Sequence, residues 1–196
     1  MIAAPTYGLV ICGGRSMRMG SDKSMIIYHN KPQCYYIYEM LGHLCKKVFL
    51  CCNALQTQQF SDRYNLLPDL PVYENIGPAA ALLTAFNYYP DVNFLAVGCD
   101  YPFINEADLQ NLLLTGQKKN AVSTLYNNIE NLYEPLLAWY PSEMLREIAG
   151  LPDAGQYSLQ HFLKSKQAVR VTPGHQKSLI SVDTPDAFMA VKRQVR

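Results

Sequence analysis

The sequence predicts an α/β fold built around a mostly parallel sheet, and three observations support this prediction. Short apolar runs with the length of buried strands recur along the first half of the chain. Segments with apolar residues at helical spacing alternate with these runs. The second half instead contains two extended runs joined by a polar stretch, which is typical of an antiparallel pair. The alternation of strands and helices in the first half favours a parallel sheet covered by helices.

The predicted strands are apolar runs bounded by glycine, proline or polar residues. They cover residues 8–12, 48–52, 71–73, 93–98, 121–126, 132–140 and 168–171. The predicted helices cover residues 33–45, 54–60, 79–89, 105–114, 142–149 and 158–163. Asn105 and the acidic residues after it are typical of a helix start. No internal repeat or low-complexity linker interrupts this order, so we expect a single domain over residues 1–196.

Composition limits the classes of partner. The 196 residues are 49% hydrophobic and 17% charged, with a net charge of +1. No global positive field is available to attract nucleic acid or an anionic membrane, so we expect neither as a partner. The sequence shows no signal peptide and no run long enough to span a bilayer. We therefore expect a cytoplasmic protein.

The cysteines and histidines form no recognisable site in the sequence. The six cysteines show neither a C-x-x-C pair nor zinc-ligand spacing, and several lie in apolar runs. We expect all six to be reduced and structural, because a free cysteine behaves as a small buried hydrophobe. The four histidines do not cluster, and we assign none of them a catalytic role.

A glycine-rich stretch follows the first predicted strand. Gly13 and Gly14 allow a sharp turn in which backbone N–H groups approach a ligand closely. Three cations, Arg15, Arg18 and Lys23, follow within ten residues. Backbone N–H groups with converging Arg and Lys side chains can hold a polyphosphate. The spacing matches neither a Walker A loop nor the G-x-G-x-x-G turn.

Polar residues follow two further predicted strands. Asn53 comes directly after the run at 48–52, and Asp100 comes just after the run at 93–98. In an open parallel sheet, ligands bind outside the carboxyl ends of the strands. A carboxylate there can hold Mg²⁺, which takes one or two protein carboxylates together with nucleotide phosphates. The alternative role for Asp100 is an Asx turn or helix cap before the proline that follows.

The loop from Gly13 to Lys23 resembles the signature Gly-Gly-x-Ser-x-Arg-Met-Gly-x-Asp-Lys of molybdenum cofactor guanylyltransferases, the MobA-like nucleotidyltransferases. Other segments similar to this family follow in the family's order along almost the whole chain. They are Lys31-Pro32, Gly77-Pro78, Cys99-Asp100-Tyr101-Pro102-Phe103, Glu134-Pro135-Leu136 and Val182-Asp183-Thr184-Pro185-Asp186. The resemblance implies a Rossmann-like, three-layer αβα, GT-A type nucleotidyltransferase fold with a mostly parallel sheet.

The resemblance also implies an activity. The protein would transfer GMP from GTP to the terminal phosphate of molybdopterin cofactor, release pyrophosphate, use Mg²⁺ and meet transient protein partners in cofactor delivery. Arg18, Lys23 and Asp100 would be the catalytic groups, with Asp100 as the metal ligand. The implied nucleotide-binding residues are Ile11, Cys12, Gly13, Gly14, Lys23, Asn53, Asn75, Gly77, Pro78 and Asp100.

Several positions depart from the family pattern. Cys12 stands where the family usually has Ala, Asn75 where we align an Asp, and Ala81 where a glycine is usual. These departures bear on recognition of the base and ribose. Asp183 occupies a usual Asn position and is a candidate second ligand for Mg²⁺. Its alternative role is an N-cap for the helix expected after Thr184.

Two other functions are compatible with the sequence. A cofactor cytidylyltransferase or a sugar-nucleotide pyrophosphorylase would share the fold, but the Gly13-Gly14 and Asp22-Lys23 pairs favour the guanylyl form. A nucleotide-binding regulator without turnover is the second alternative. The retained Asp100 and Lys23 argue against a regulator. The changes at Asn75 and Ala81 argue for it.

Overall fold

The computed structural model describes residues 4–12, 23–74, 76–150 and 158–194. Within these residues, seven strands form one sheet. In chain order they are β1 (Thr6–Ile11), β2 (Lys47–Cys52), β3 (Leu66–Pro68), β4 (Asn93–Gly98), β5 (Ser123–Asn127), β6 (Leu132–Tyr140) and β7 (Val169–Val171). Across the sheet the order is β3-β2-β1-β4-β6-β5-β7.

The described part of the chain also contains α-helices and shorter 3₁₀ helices. The α-helices are α1 (Gln33–Leu44), α2 (Ala79–Tyr88), α3 (Glu106–Lys119), α4 (Ser142–Ala149), α5 (Leu159–Ser165) and α6 (Pro185–Lys192). The 3₁₀ helices cover Lys23–Met25, Ala54–Gln59, Pro71–Tyr73 and Gln176–Leu179.

The path of the chain creates a crevice at the centre of the sheet. From β1 the chain moves outward through β2 to β3, and it then returns to place β4 on the other side of β1. β1 to β4 are all parallel, and β6 is antiparallel to both of its neighbours. The direction of winding thus reverses between β1 and β4, which is where ligands bind in open α/β sheets.

Alternating side chains of the strands fill two cores, one on each face of the sheet. Leu9 of β1 points into the core formed with α2, α4 and α5, which includes Leu82. Its neighbour Val10 points into the core formed with α1 and α3, which includes Ile37 and Leu109. Both faces are therefore covered by helices, and the predicted three-layer α/β fold with a mostly parallel sheet is confirmed.

Most predicted elements are shifted by at most a few residues at their ends, but one predicted strand does not form. The strand predicted at 71–73 is wrong: Pro71–Tyr73 forms a 3₁₀ helix, and the strand lies earlier, at Leu66–Pro68. Pro68 is tolerated because β3 is the edge strand, where a missing N–H costs no ladder bond. The predicted antiparallel pair is confirmed as β5 and β6.

Helix α3 continues past the predicted end near residue 114. Gly116, which lies beyond that predicted end, is buried against Trp139 of β6. The helix ends where Asn120 takes a left-handed conformation with φ of 47°. Tertiary packing therefore overrides the weak helix propensity of glycine.

The state of the cysteines matches the expectation. All six cysteines are free thiols, and all but the half-buried Cys45 are buried. Among the described residues, no helix is both long enough and apolar enough to cross a membrane.

We expect the substitution of glycine by alanine to have opposite effects on stability at two helix positions, Gly116 and Gly42. A Cβ at Gly116 would lie 2.4 Å from Trp139 Cε3 and 2.6 Å from Ser123 Oγ. Gly116→Ala should therefore overpack the core and lower the free energy of unfolding by about 1–3 kcal/mol. A Cβ at Gly42 meets no atom within 4 Å. Gly42→Ala should raise the free energy of unfolding by about 0.5–1 kcal/mol, because alanine loses less backbone entropy.

Urea unfolding of the two variants measures both effects. Gly42→Ala serves as the control for the added methyl group itself. A Gly116→Ala protein as stable as the wild type would show that Trp139 can move aside without cost.

Candidate active site

Four residues whose side chains are suited to binding or catalysis lie along one edge of the sheet. β1 is paired with β4 so that Ile11 is opposite Gly98, and this register brings Cys12 and Asp100 together at adjacent strand ends. β2 is paired with β3 so that Cys52 is opposite Pro68, which brings Asn53 and Asp69 together in the same way. The carboxyl ends of β3, β2, β1 and β4 thus form one continuous edge.

The carboxyl group of Asp100 is buried at this edge. Its pKa is raised to about 6, mainly by burial and also by the nearby Asp183, while a hydrogen bond to its own backbone N–H and the nearby Lys23 act in the opposite direction. A Cβ added at Gly98 would lie 2.5 Å from Asp100 Oδ1, so the absence of a side chain at Gly98 makes room for this carboxylate. A buried carboxylate is costly unless it is compensated by a cation or hydrogen bonds.

Lys23 and Asp183 meet beside Asp100. Lys23 Nζ lies 2.5 Å from Asp183 Oδ1, and only 19% of the Lys23 side chain is exposed, compared with 59% for Asp183. The backbone N–H of Val182 donates to the Asp100 carbonyl over 2.8 Å, which holds the segment carrying Asp183 against the end of β4. Asp183 does not cap α6, because Thr184 is the N-cap.

A third carboxylate lies close to Asp100 but is already paired. Glu134 of β6 accepts a hydrogen bond of 2.8 Å from the Tyr101 hydroxyl. Its pKa is raised mainly by burial, with a further contribution from Asp100. Within the described residues, no three acidic, histidine or cysteine side chains converge as a ready-made metal cage.

The donor set nevertheless fits a hard divalent cation such as Mg²⁺. Asp100 provides a buried carboxylate that lacks a full counter-charge, and Asp183 provides a second carboxylate within its electrostatic reach. Mg²⁺ is commonly bound through one or two carboxylates, with waters and substrate phosphates completing the octahedron. Asp100 and Asp183 are thus sufficient as the protein's share of such a site.

Asn53 and Cys12 are joined by a residue that the sequence analysis did not consider. Gln56 and Asn53 form a capping box: Asn53 Oδ1 accepts from the Gln56 N–H over 3.1 Å, and Gln56 Oε1 accepts from the Asn53 N–H over 3.0 Å. The Gln56 amide also donates to the Cys12 carbonyl over 3.3 Å. The spacing Asn-x-x-Gln is a capping-box signal that was present in the sequence.

The start of α2 lies next to this edge. Gly77 adopts φ of 70°, a conformation suited to glycine, and no described atom lies within 4 Å of the place where its Cβ would be. Pro78 is the N-cap of α2, and the first turn of the helix has no side-chain cap. Free N–H groups at a helix start attract anions.

The comparison with known proteins agrees with this geometry. A family model described as the MobA-like NTP transferase domain matches residues 8–171, from β1 to the end of β7. The chain belongs to the MobA-like NTP transferase family. The resemblance seen in the sequence is thereby confirmed at the level of the family.

Individual relatives of this MobA-like chain show how far the similarity extends. A molybdenum cofactor biosynthesis bifunctional protein of Synechocystis is 30% identical over 189 residues, which are 94% of this chain and 53% of that protein. The chain therefore spans about half the length of this relative. A molybdenum cofactor guanylyltransferase of Pseudomonas entomophila is 24% identical over 79% of this chain and 80% of its own length.

A solved structure shares the fold over nearly the full chain. The crystal structure of molybdopterin-guanine dinucleotide biosynthesis protein A from Archaeoglobus fulgidus superposes with a TM-score of 0.79. It covers 96% of this chain and 97% of that one, at 20% sequence identity. At that identity the comparison establishes the nucleotidyltransferase fold.

Some predicted site residues of the MobA-like chain are not described by the structure. Gly13, Gly14, Arg18 and Asn75 lie outside the described residues. Their roles in nucleotide binding remain predictions from the sequence. Of the described candidates, Lys23, Asp100 and Asp183 come together, while Asn53 and Cys12 adjoin them along the strand ends.

Asp69 is a site candidate that the sequence analysis missed. It directly follows β3, and its N–H donates to the Cys52 carbonyl over 2.8 Å. Burial, and next the nearby Glu74, raise the pKa of Asp69 to about 6. Its buried Oδ1 has no hydrogen-bond partner among the described residues. The misplaced strand at 71–73 hid the signal, which is an Asp immediately after a strand.

The raised pKa of Asp100 predicts that neutralising it stabilises the protein without ligands. The pKa rises from an ordinary value near 3.8 to about 6, so the folded state disfavours the ionised carboxylate. Its destabilising effect grows as the pH rises through this window and is complete above it. Asp100→Asn should raise the free energy of unfolding at pH 8 by up to about 3 kcal/mol. The gain should vanish below about pH 4.

Thermal melts at pH 8, 6 and 4, without nucleotide or metal, measure this effect. A gain that does not depend on pH would mean that Asn packs better than Asp at this position. A loss of stability at pH 8 would show that the Asp100 charge is already compensated within the protein.

Proposed function

We propose that this chain transfers GMP from GTP to the terminal phosphate of molybdopterin cofactor. An oxygen of the acceptor phosphate attacks the α-phosphorus of GTP, the bond between the α- and β-phosphates breaks, and pyrophosphate leaves. The products are molybdopterin guanine dinucleotide and pyrophosphate. The observation that carries the proposal is the meeting of Lys23, Asp100 and Asp183 at the crevice between β1 and β4. The names of the relatives support the choice of nucleotide and acceptor.

Lys23 binds the nucleotide phosphates in this mechanism. Among the described residues it is the cation that lowers the pKa of Asp100, and its ammonium group can exchange Asp183 for a phosphate oxygen. The exchange leaves the Asp183 carboxylate without its partner. Asp183 is then available beside Asp100 as a second oxygen donor.

Asp100 and Asp183 are the residues that would hold Mg²⁺. When bound, the metal supplies neutralisation of the charge that develops around the α-phosphate. The acceptor phosphate is already anionic at neutral pH, so the reaction needs no strong general base. The work of the protein is mostly to position the two phosphates and to balance their charge.

Asp69 is suited to read the guanine base. Guanine presents two neighbouring donors, N1–H and the 2-amino group, which can both bond to one carboxylate. The buried Oδ1 of Asp69, which has no partner among the described residues, is an acceptor of this kind, and two strands, β2 and β1, lie between its strand and that of Asp100. Cytosine lacks the N1–H donor and so offers a poorer match. In this proposal the Asp69 carboxylate supplies the negative charge that Asn75 lacks.

The domain organisation, the partners and the cellular location that we propose rest on properties of the chain as a whole. All seven described strands belong to one sheet, which supports a single domain. The net charge of +1 supports small-molecule substrates over nucleic acid and membranes. Transient contacts with proteins that deliver the cofactor belong to the same proposal. We propose the cytoplasm, where GTP is available, as the site of action.

Base preference is tested by thermal stabilisation. A ligand stabilises the state that it binds, so GTP with Mg²⁺ should raise the melting temperature more than equal CTP. Asp69→Asn should weaken GTP binding by about tenfold or more, because one donor of guanine loses its charged acceptor. Binding of CTP should change little. Asp62→Asn, at an exposed position in the segment before β3, is the matched control.

Two outcomes would contradict different parts of this proposal. Greater stabilisation by CTP than by GTP would refute the guanylyl assignment. A variant Asp69→Asn that retains the wild-type preference for GTP would show that another group reads the base.

The role of Lys23 predicts a loss of phosphate binding. Lys23→Ala removes a charge-assisted contact worth about 1.5–3 kcal/mol, so GTP affinity should fall by about tenfold to a hundredfold. Lys166→Ala is a matched control, because Lys166 also pairs with a carboxylate, that of Glu147, but lies at the end of α5. Calorimetric titration with GTP, together with circular dichroism to check the fold, measures the effect. Equal GTP affinity in the two variants would remove Lys23 from the site.

A further inference from the structure

The backbone of the loop after β4 is held by groups from distant parts of the chain. The Asp100 carbonyl accepts from the N–H of Val182 over 2.8 Å. The next carbonyl, that of Tyr101, accepts from Nε2 of Gln33 over 3.1 Å. Gln33 is fully buried at the start of α1. The loop that carries Asp100, the candidate metal ligand, is therefore held from two sides.

His29 holds the third consecutive carbonyl of this loop. Its Nε2 lies 2.8 Å from the carbonyl oxygen of Pro102. A carbonyl oxygen can only accept, so Nε2 carries the hydrogen of this bond. The imidazole ring is stacked on Tyr36 of α1, with ring centres 4.1 Å apart and planes inclined by 20°. The stacking contact and the hydrogen bond together fix the orientation of the imidazole ring.

The turn that presents His29 is itself tightly closed. Asn30 has φ of 60°, a left-handed conformation that Asn adopts more readily than most residues. Ile27 forms an isolated β-bridge with Pro32, and the N–H of Gln33 donates to the Ile26 carbonyl over 2.8 Å. His29 is thus presented from a closed loop that leads directly into α1.

The same stretch of chain carries Lys23. A 3₁₀ helix covers Lys23–Met25, and the N–H of Ile26 donates to the Lys23 carbonyl over 3.2 Å. Five residues along the chain separate Lys23 from His29. One short segment therefore contains the candidate phosphate ligand at one end and a group that holds the Asp100 loop at the other.

We propose that His29 is a positioning residue for Asp100. It acts through the Pro102 carbonyl and holds the loop so that the Asp100 carboxylate can share a divalent cation with nucleotide phosphates. His29 contacts Pro102 and Tyr36, so it acts on the metal only through the loop. The inference rests on the proposed function, because it assigns the cation to Asp100. Residues that orient a metal ligand typically change metal affinity by about 10–100-fold when they are replaced.

Two amide variants separate the hydrogen bond from the ring. In His29→Gln the side-chain amide reaches the position of the imidazole Nε2 and can still donate to Pro102. His29→Asn carries the same amide on a side chain one methylene shorter, which stops near the position of Nδ1. His29→Phe keeps an aromatic ring to stack on Tyr36 but has no donor. The same Asn and Gln pair at His161, an exposed residue of α5, controls for loss of an imidazole.

The experiment titrates Mn²⁺ into each variant in the presence of GTP, with free Mn²⁺ measured by electron paramagnetic resonance. His29→Asn and His29→Phe should weaken Mn²⁺ binding by about tenfold, while His29→Gln stays within about threefold of the wild type. GTP binding without a metal should be the same in all of them. In turnover assays the apparent KM for Mg²⁺ should rise by the same factor in the Asn and Phe variants. Both His161 variants should match the wild type.

Asp100→Asn is titrated in parallel. It tests the metal site at Asp100 separately from the positioning role of His29. If it weakens Mn²⁺ binding while His29→Asn and His29→Phe do not, the role of His29 is refuted and the metal site stands. If it has no effect, the metal site is refuted and the role of His29 with it. Equal weakening in all three His29 variants would also overturn the proposal, because the Gln donor would then not substitute for Nε2.

Two further measurements keep the result interpretable. The titrations are repeated with CTP, so that a wrong base assignment appears as binding with CTP alone and leaves the comparison of variants unchanged. Circular dichroism checks each fold. Should His29→Phe fail to fold, the Asn and Gln pair decides the outcome, since both place a small polar group in a half-buried turn.

Discussion

The pairing of β1 with β4 is the interaction on which the rest of the site depends. Ile11 lies opposite Gly98, and the N–H of Cys99 donates to the Ile11 carbonyl over 3.1 Å just beyond the last paired residues. This bond continues the ladder to the point where both strands end. Cys12 and the start of the loop carrying Asp100 therefore lie side by side beyond the strand ends, at the place where the winding direction reverses.

The Asp100 carboxylate, just beyond the end of β4, determines the interactions around it. Asp100 occupies space that exists only because Gly98 has no side chain, and its ionised form is disfavoured by burial. The nearby Lys23 compensates it partly but is itself paired with Asp183. Among the described residues, the two carboxylates and the one ammonium group at this place leave net negative charge. That charge suits a cation brought by a polyphosphate better than it suits the protein alone.

Much of the site could be predicted because its residues follow strands that are easily recognised. β4 coincides with its predicted limits, and Asp100 therefore lies where the sequence analysis expected it. Asp69 was missed because β3 has only three residues, one of them a proline, and gives almost no apolar pattern. The contact between Gln56 and Cys12 joins residues 44 positions apart, which periodicity along the chain does not report.

The sequence alone determined the α/β class, the order of most helices and strands, and the family, because these depend on local periodicity and on motifs of adjacent residues. The tertiary structure decided which groups face one another. It paired Lys23 with Asp183 across 160 positions, joined His29 to the Pro102 carbonyl across 73, and left Oδ1 of Asp69 without a partner among the described residues. The physical reason is that hydrogen bonds and ion pairs depend on distances of a few ångströms between atoms. Those distances are set only when the sheet, its two layers of helices and the loops at its edge pack together.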